Sequence, residues 1–357
     1  MTNRQRLVQR AFASCTPIYA TIELTLSCNL RCVHCYNFDR AEPQPKRAKG
    51  AELTPPEILS AIDQVAEAGA MFVAFTGGEA LLHPHVLDFV RRARERSCLV
   101  TLKSNGMLLE PARVRALKAA GVAKVDVSLY GGSAGTHDAF TRQLGSFDAT
   151  VRGIRNAIDA GLRVSVAYCL VRSNAHEVER MIELAEQLGV SAGLDPQITA
   201  RYDGTTSSLD ERVDRATLES LYGGALARFV GPPDCNPDRS VQCSCARSVC
   251  AISSTGDVYP CIGAPIASGN LREHTFAEIW ESSPELQRIR GLELDDFETC
   301  KPCPDRGYCR RSSGVAFVNT GNYTGVDEWT CMEANVLHEL DRRKPAPVSE
   351  TGEPGDS

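Results

Sequence analysis

Three thiols stand within one short stretch, Cys28-Asn29-Leu30-Arg31-Cys32-Val33-His34-Cys35, in a chain of 357 residues that carries 15 cysteines. Three thiolates on one loop suit three irons of a cubane cluster, and complete ligation of a cubane takes four. The local set therefore leaves one iron open to another ligand. The alternatives are a zinc site with His34 as fourth ligand, or three unrelated core cysteines. Structural zinc favours four closed ligands built from CxxC pairs, which this spacing is not. A second group follows much later: Cys243, Cys245, Cys250, Cys261, Cys300, Cys303, Cys309 and Cys331. Eight thiolates would fully ligate two cubanes. Cys300-x2-Cys303 taken alone would equally suit zinc, so two zinc ribbons are the competing reading. Cys15, Cys98 and Cys169 read as small core residues, Cys169 also lying where it would reach a cavity. Cys235 reads as a surface thiol or a spare ligand.

Further chemistry-bearing residues sit at the ends of apolar runs: Thr76-Gly77-Gly78-Glu79, Ser104-Asn105-Gly106 and Ser128-Leu129-Tyr130-Gly131. Glycines let a backbone approach a ligand closely. Asp195, Gln197 and Arg201 end or follow another run and are candidates to line a cavity. His83 and His85 flank Pro84 and read as a helix start, and His137-Asp138 as a turn. Arg142 is either an anion-binding group or a solvated residue at a helix start. No general base is singled out.

These residues need positioning elements. Short β-branched or apolar runs predict strands at Ile18–Leu26, Met71–Thr76, Leu99–Ser104, Val122–Leu129, Arg163–Leu170 and Val190–Ile198. Each is followed by a helical pattern. Thr54-Pro55-Pro56 opens one with apolar residues at Ile58, Leu59, Ile62 and Val65, and Gly69 closes it. The other helices are expected near Pro84–Arg96, Glu110–Ala120, Asp148–Ala160, Asn174–Leu188 and Asp214–Phe229. Strict alternation implies a parallel sheet with right-handed crossovers, either doubly wound or a partial barrel. In both, functional loops lie beyond the carboxyl ends of the strands. Past Val230, Gly231-Pro232-Pro233 reads as a break. The following stretch is rich in Cys, Gly, Pro and Ser, with one clear helix around Phe276–Trp280, so cross-links are expected to hold it.

Taken together, these motifs resemble the radical S-adenosylmethionine superfamily over roughly Ile18 to Ile198. The resemblance implies an α/β fold with a partial (β/α)6 TIM-like barrel. It implies that Cys28, Cys32 and Cys35 hold a [4Fe–4S] cluster whose open iron chelates S-adenosylmethionine. It places His34 near the adenine, Gly77, Gly78 and Glu79 at the methionine ammonium, and Ser104 and Asn105 at the ribose or carboxylate. Ser128 is a further polar contact, and Arg142 a partner for the methionine carboxylate by a charge-assisted bond. Many relatives have Asp where Tyr130 stands here. The cysteines past residue 243 resemble the SPASM accessory domain, a smaller, irregular, cysteine-rich unit carrying up to two auxiliary [4Fe–4S] clusters. By that analogy Cys300, Cys303, Cys309 and Cys331 hold one. Cys245, Cys250 and Cys261 hold the other, whose fourth site is Cys243 or open. The seventh signature cysteine would fall at Ser313.

The expected organisation is an N-terminal extension over 1–17, a core barrel over 18–230, an accessory domain over 231–335 and a flexible tail over 336–357. Net charge is −6, which argues against a polyanion-binding surface, so no nucleic acid is expected. No apolar run spans a bilayer and no signal peptide is evident, so a cytoplasmic, membrane-free enzyme is expected. The resemblance implies an external electron donor of flavodoxin or ferredoxin type. It implies radical chemistry on a peptide or protein, as in a maturase that cross-links or oxidises a ribosomally made peptide, with a separate peptide-recognition protein. A small-molecule or tetrapyrrole substrate is the alternative, and a non-enzymatic iron–sulfur electron carrier a third.

Overall fold

The computed structural model describes residues 2–41, 50–231, 233 and 243–343. Cys235 and the Pro345 tail therefore lie outside the described residues, as does part of the Gly231–Pro233 break. Helix α1 (Asn3–Ala13) leads into strand β1 (Tyr19–Thr25). Five strand–helix units follow: β2 (Phe72–Gly77), β3 (Leu99–Ser104), β4 (Val122–Leu129), β5 (Arg163–Cys169) and β6 (Ser191–Asp195). Between and after them run α2 (Pro55–Glu67), α3 (Val86–Glu95), α4 (Pro111–Ala120), α5 (Ala134–Thr141), α6 (Ser146–Asp159), α7 (Val178–Gln187) and α8 (Arg215–Gly223). Neighbouring strands from β1 to β6 pair in parallel. The sheet does not close, and its order is β6-β5-β4-β3-β2-β1, continued by β7 (Val249–Ile252) and β8 (Val258–Tyr259).

Local chemistry explains these elements. Helix α2 opens with Pro55-Pro56 behind Thr54, whose backbone N–H and hydroxyl both donate to Glu57 at 2.6 and 2.8 Å. It buries Ile58, Ala61, Ile62 and Val65 completely, each large side chain contributing about 1.5–3 kcal/mol. Along β2, β3 and β4 the alternate residues Val73, Phe75, Val100, Leu102, Val125 and Val127 are buried in the main core with the helices. The intervening residues, among them Thr76, Lys103, Asp126 and Ser128, line the concave interior. A sheet buried on both faces would read as continuous apolar strands. This alternation is the mark of a barrel whose inside is polar and open.

The C-terminal part is more regular than its composition suggests. Strand β7 (Val249–Ile252) pairs in parallel with β1, and β8 (Val258–Tyr259) returns antiparallel to β7. Helices α9 (Phe276–Ser282), α10 (Pro284–Arg290), α11 (Ser313–Thr320) and α12 (Glu328–Arg342) follow. The expectation of one clear helix is corrected here. Helix α12 presents Trp329, Val336 and Leu337 to the core, behind an Asp327 cap that accepts from the Thr330 backbone at 3.0 Å. The expected flexible tail from residue 336 is corrected too, because α12 continues to Arg342. The N-terminal stretch also holds a helix, closed by a Thr2–Gln5 capping box.

Candidate functional site

The loop after β1 carries Cys28, Cys32 and Cys35, all free and partly buried. It is fixed from below by Glu52, whose carboxylate accepts from the Thr25 hydroxyl at 2.9 Å and the Leu26 amide at 2.6 Å. From the side, buried Arg201 donates to the Val33 carbonyl at 2.9 Å and lies 3.6 Å from Asp39. Arg31 and Val33 amides donate to Thr141 and Phe140 carbonyls of α5.

The glycine pair after β2 answers a steric demand of this loop. A Cβ on Gly77 would overlap the Thr25 carbonyl, and one on Gly78 the Ser27 and Leu26 carbonyls. The Gly78 amide donates to Thr25 O at 2.7 Å and the Glu79 amide to Ser27 O at 2.8 Å. Gly77 has φ +133, open only to glycine without strain. The two glycines thus let β2 lie directly against the start of the cysteine loop. They also line the cavity, so the close approach the sequence suggested involves protein backbone first.

That cavity has a volume of about 260 Å³ and opens at the carboxyl ends of the strands. It gathers Cys28, Cys32, His34, Cys35, Gly77, Gly78, Ser104, Asn105 and Ser128. Glu79 and Arg142 are not in its wall, and neither are the cavity candidates Asp195, Gln197 and Arg201. Glu79 is 1% exposed, and its carboxylate accepts from Ser104 Oγ at 2.9 Å, the Asn105 amide at 2.7 Å and the Leu81 amide at 3.0 Å. It holds the Ser104–Asn105 turn from behind. Burial raises its pKa, with those hydrogen bonds and Arg113 opposing. Arg142 caps α5 in a left-handed conformation (φ 54) and lies 3.9 Å from Asp39, half exposed.

Other groups complete the wall. Arg40 donates from Nε to Cys35 Sγ at 3.1 Å and from Nη2 to Leu26 O at 3.2 Å. Tyr130 stacks on Phe140 with centroids 4.4 Å apart. His34 packs against both rings, and its Nδ1 is buried without a partner. Burial first, then Arg201, lowers its pKa to about 4, so the ring is neutral near pH 7. Burial raises the Cys28 and Cys32 thiols. For Cys32 the neighbouring thiols add to it, and Arg40 opposes in both. Lys103 and Asp126 also line the cavity. Neither they nor Arg40 were singled out from the sequence, although the period-2 alternation of β3 and β4 carried the signal for the first two.

The donor set fits an iron–sulfur cluster with a bound amino acid-like ligand. Three free thiols face one cavity, a guanidinium stands beside them, an orphaned ring nitrogen faces the wall, and polar turns close the far side. Cys169 packs, as Cys32 and Tyr130 do, against the small cluster of Phe140, Val171 and Ile198; it is near enough to interact electrostatically with Cys32 but does not line the cavity. Asp195 accepts from the Gln197 amide at 2.9 Å, and Gln197 donates to Thr330 of α12 at 3.1 Å. Arg201 is a strut behind the loop. His85 precedes α3, at the helix start the sequence suggested, and pairs with Asp88 at 3.2 Å. The turn expected at His137-Asp138 is corrected: both lie inside α5, where the Asp138 carboxylate accepts from the Gly145 and Phe147 amides.

A second set of thiols lies in the C-terminal part. Cys243 and Cys245 sulfurs are 3.0 Å apart, as are those of Cys245 and Cys261, and buried Cys250 is in electrostatic contact with Cys261. Cys300 and Cys303 act electrostatically on both Cys309 and Cys331, and burial followed by these thiols raises both. All of these are free. Among the described residues no helix is long and apolar enough to cross a membrane.

Comparison with known proteins gives two family matches: the radical SAM superfamily over residues 22–185 and an iron–sulfur cluster-binding domain, SPASM, over 243–304. An AdoMet-dependent heme synthase of Methanosarcina barkeri is 29% identical, over 84% of this chain and 92% of its own. Mycofactocin maturase MftC of Mycobacterium tuberculosis is 28% identical over 93% and 87%, and a PqqA peptide cyclase of Granulibacter bethesdensis 27% over 87% and 86%. Among solved structures, Streptococcus suis SuiB bound to its precursor peptide SuiA has a TM-score of 0.67 at 14% identity, covering 92% of this chain and 80% of SuiB. AdoMet-bound anSMEcpe also scores 0.67, at 15% identity, covering 91% and 97%. These two likenesses concern the fold.

Proposed function

Given that the chain is a radical SAM enzyme with a C-terminal SPASM domain and with [4Fe–4S] clusters and S-adenosylmethionine as cofactors, we propose that it modifies a peptide or protein by hydrogen abstraction, in the manner of a maturase. The observation that carries the chemistry is the single cavity shared by Cys28, Cys32, Cys35 and the strand-end turns. A cluster and S-adenosylmethionine bound there would supply the hydrogen-abstracting radical chemistry. The chain's own residues hold and shield that chemistry. Cys28, Cys32 and Cys35 would hold three irons of the cluster. Arg40 offsets their negative charge through its bond to Cys35 Sγ. Asn105, tied to Asn29 at 2.7 Å, and Ser128 offer polar contacts to the ligand. His34, neutral, presents a ring face for the adenine beside Tyr130. The stacked Tyr130 and Phe140 rings exclude water on that side. Glu79 and Arg201 act by positioning.

The substrate class rests on likeness to a peptide cyclase and a maturase along most of the chain. The domain division at about residue 230, an external flavodoxin- or ferredoxin-type donor and a separate peptide-recognition protein belong to the same proposal. A tetrapyrrole is the second reading, favoured by the heme synthases at 27–29% identity. The test is anaerobic: the reconstituted, reduced protein is given S-adenosylmethionine with either a short peptide encoded beside its gene or a tetrapyrrole. Formation of 5′-deoxyadenosine with a mass change in the peptide supports the maturase reading. A mass change in the tetrapyrrole alone replaces it with the second.

A further inference from the structure

We propose that Lys103 holds a carboxylate of the substrate inside the barrel, at the floor of the catalytic cavity, and that the cations around it select acidic substrates. This deepens the proposed function and rests on its reading of that cavity, for the peptide and the tetrapyrrole alike. A second cavity, of about 480 Å³, opens at the amino ends of the strands. Lys103 and Asp126 line both it and the catalytic cavity, so the barrel interior runs from one mouth to the other past these two side chains. Strand alternation explains the passage. The inward residues near the amino ends are small, with Thr21, Ala74 and Thr101 side by side on neighbouring strands. They leave room where bulky branched side chains would pack a barrel shut.

The charge of this interior is one-sided. Arg4 of α1, Lys103, Lys124 and Arg163 line the second cavity, and among the described residues of its wall they face one carboxylate, that of Asp126. That carboxylate is already engaged. It pairs with Lys124 Nζ at 2.6 Å and accepts from the Ser165 hydroxyl. Burial acts to raise its pKa, but those two partners and the charge of Lys103 lower it overall. Lys103 stands opposite Asp126 in the β3–β4 register, yet among the described residues no hydrogen bond or ion pair engages its ammonium. The catalytic cavity has one other cation in its wall, Arg40, which is committed to Cys35 Sγ and Leu26 O. Lys103 is thus the uncommitted positive charge of the cavity. It directly precedes the Ser104–Asn105 turn, so a group bound to its ammonium would lie beneath the ligand that the turn contacts. A carboxylate answers it: the bond is charge-assisted, and a concave wall of one sign concentrates ions of the other. A peptide offers that group on an acidic side chain or its C-terminus, and a carboxylated tetrapyrrole on its ring substituents.

The test uses the full chain with its clusters reconstituted anaerobically, and two pairs of compounds: pentaglutamate and pentaglutamine, and a porphyrin with free carboxylates and its methyl ester. Calorimetry gives the affinities. The parent is expected to bind at least one acidic compound more tightly than its neutral twin. Lys103→Gln is expected to weaken that acidic compound about tenfold and Lys103→Arg to keep it, with the iron content of the parent in both. The neutral twins should respond to neither change. Which acidic compound binds tells a peptide carboxylate from a tetrapyrrole one. The assignment is overturned if the parent binds neither acidic compound or does not prefer it to its twin. It is overturned equally if Lys103→Gln binds as the parent does, or if Lys103→Arg loses as much as Lys103→Gln. The assay needs no turnover. Charge-selective binding in a protein that forms no 5′-deoxyadenosine would therefore leave the site standing and sink the proposed function instead.

Discussion

At the scale of single residues, the two ends of the candidate site behave differently. Cys32 faces the cavity, so Cys32→Ala is expected to abolish 5′-deoxyadenosine formation while auxiliary iron stays bound, read by product chromatography and iron counting on the same sample. Glu79 acts from behind the wall. Glu79→Ala leaves the Asn105 and Leu81 amides and the Ser104 hydroxyl without their acceptor. Each lost hydrogen bond to a charged group is worth about 1.5–3 kcal/mol. A stability loss of about 3 kcal/mol in chemical denaturation is expected, with weaker S-adenosylmethionine binding by calorimetry. The cysteine loop, the glycine pair and the two polar turns were legible in the sequence because their types are rare at that spacing. Arg40 was not, since an arginine five residues beyond Cys35 looks like any surface charge until the loop folds back and aims Nε at the sulfur.

At the scale of elements, all six core strands overlap the predicted runs. In β1 to β5 side chains buried on one face leave a strong local pattern, whereas β6 has no buried residue and is marked by its place in the strand–helix alternation. Strands β7 and β8 escaped, being four and two residues long, and β7 is stabilised by a partner strand far away in sequence. Helix α12 was legible in principle: Asp327 caps it and apolar residues recur at helical spacing, but Cys331 within it drew the reading toward a metal loop. Gly78→Ala tests the contact between two elements. The added Cβ meets two carbonyl oxygens of the cysteine loop, and overpacking of this kind costs about 1–3 kcal/mol. The expected signature is loss of core iron with auxiliary iron retained, separable by EPR.

At the scale of the whole molecule, polar clasps join the C-terminal part to the barrel. Arg272 donates to Glu57 of α2 at 2.7 Å and to the Ala51 and Glu52 carbonyls. The Arg272 bond, then Thr54, lowers the Glu57 pKa to about 2. A carboxyl with a depressed folded pKa stabilises above its unfolded value and loses that contribution as pH falls through the folded one. This clasp is therefore complete above about pH 4.5 and lost towards pH 2, an effect trimmed by its exposure to solvent. Hydrogen exchange around residues 51–57 should rise over that window in the parent but not in Arg272→Ala, where it is raised throughout. The other clasp is buried: Arg212 donates to Asp327 at 3.0 Å beneath the Trp329 ring. Asp327→Ala leaves that cation unpaired and is expected to cost about 3–5 kcal/mol by denaturant unfolding. The pairing of β1 with β7 carries a different consequence, one of timing. Tyr19 meets Val249 and Ile22 meets Ile252, so the strand that delivers the cysteine loop has one edge bare until the ribosome has made two-thirds of the chain. Contacts between such distant segments form slowly. The nascent barrel must therefore wait, and its cysteine loop gains a settled frame for iron only after synthesis has passed the second group's first thiols.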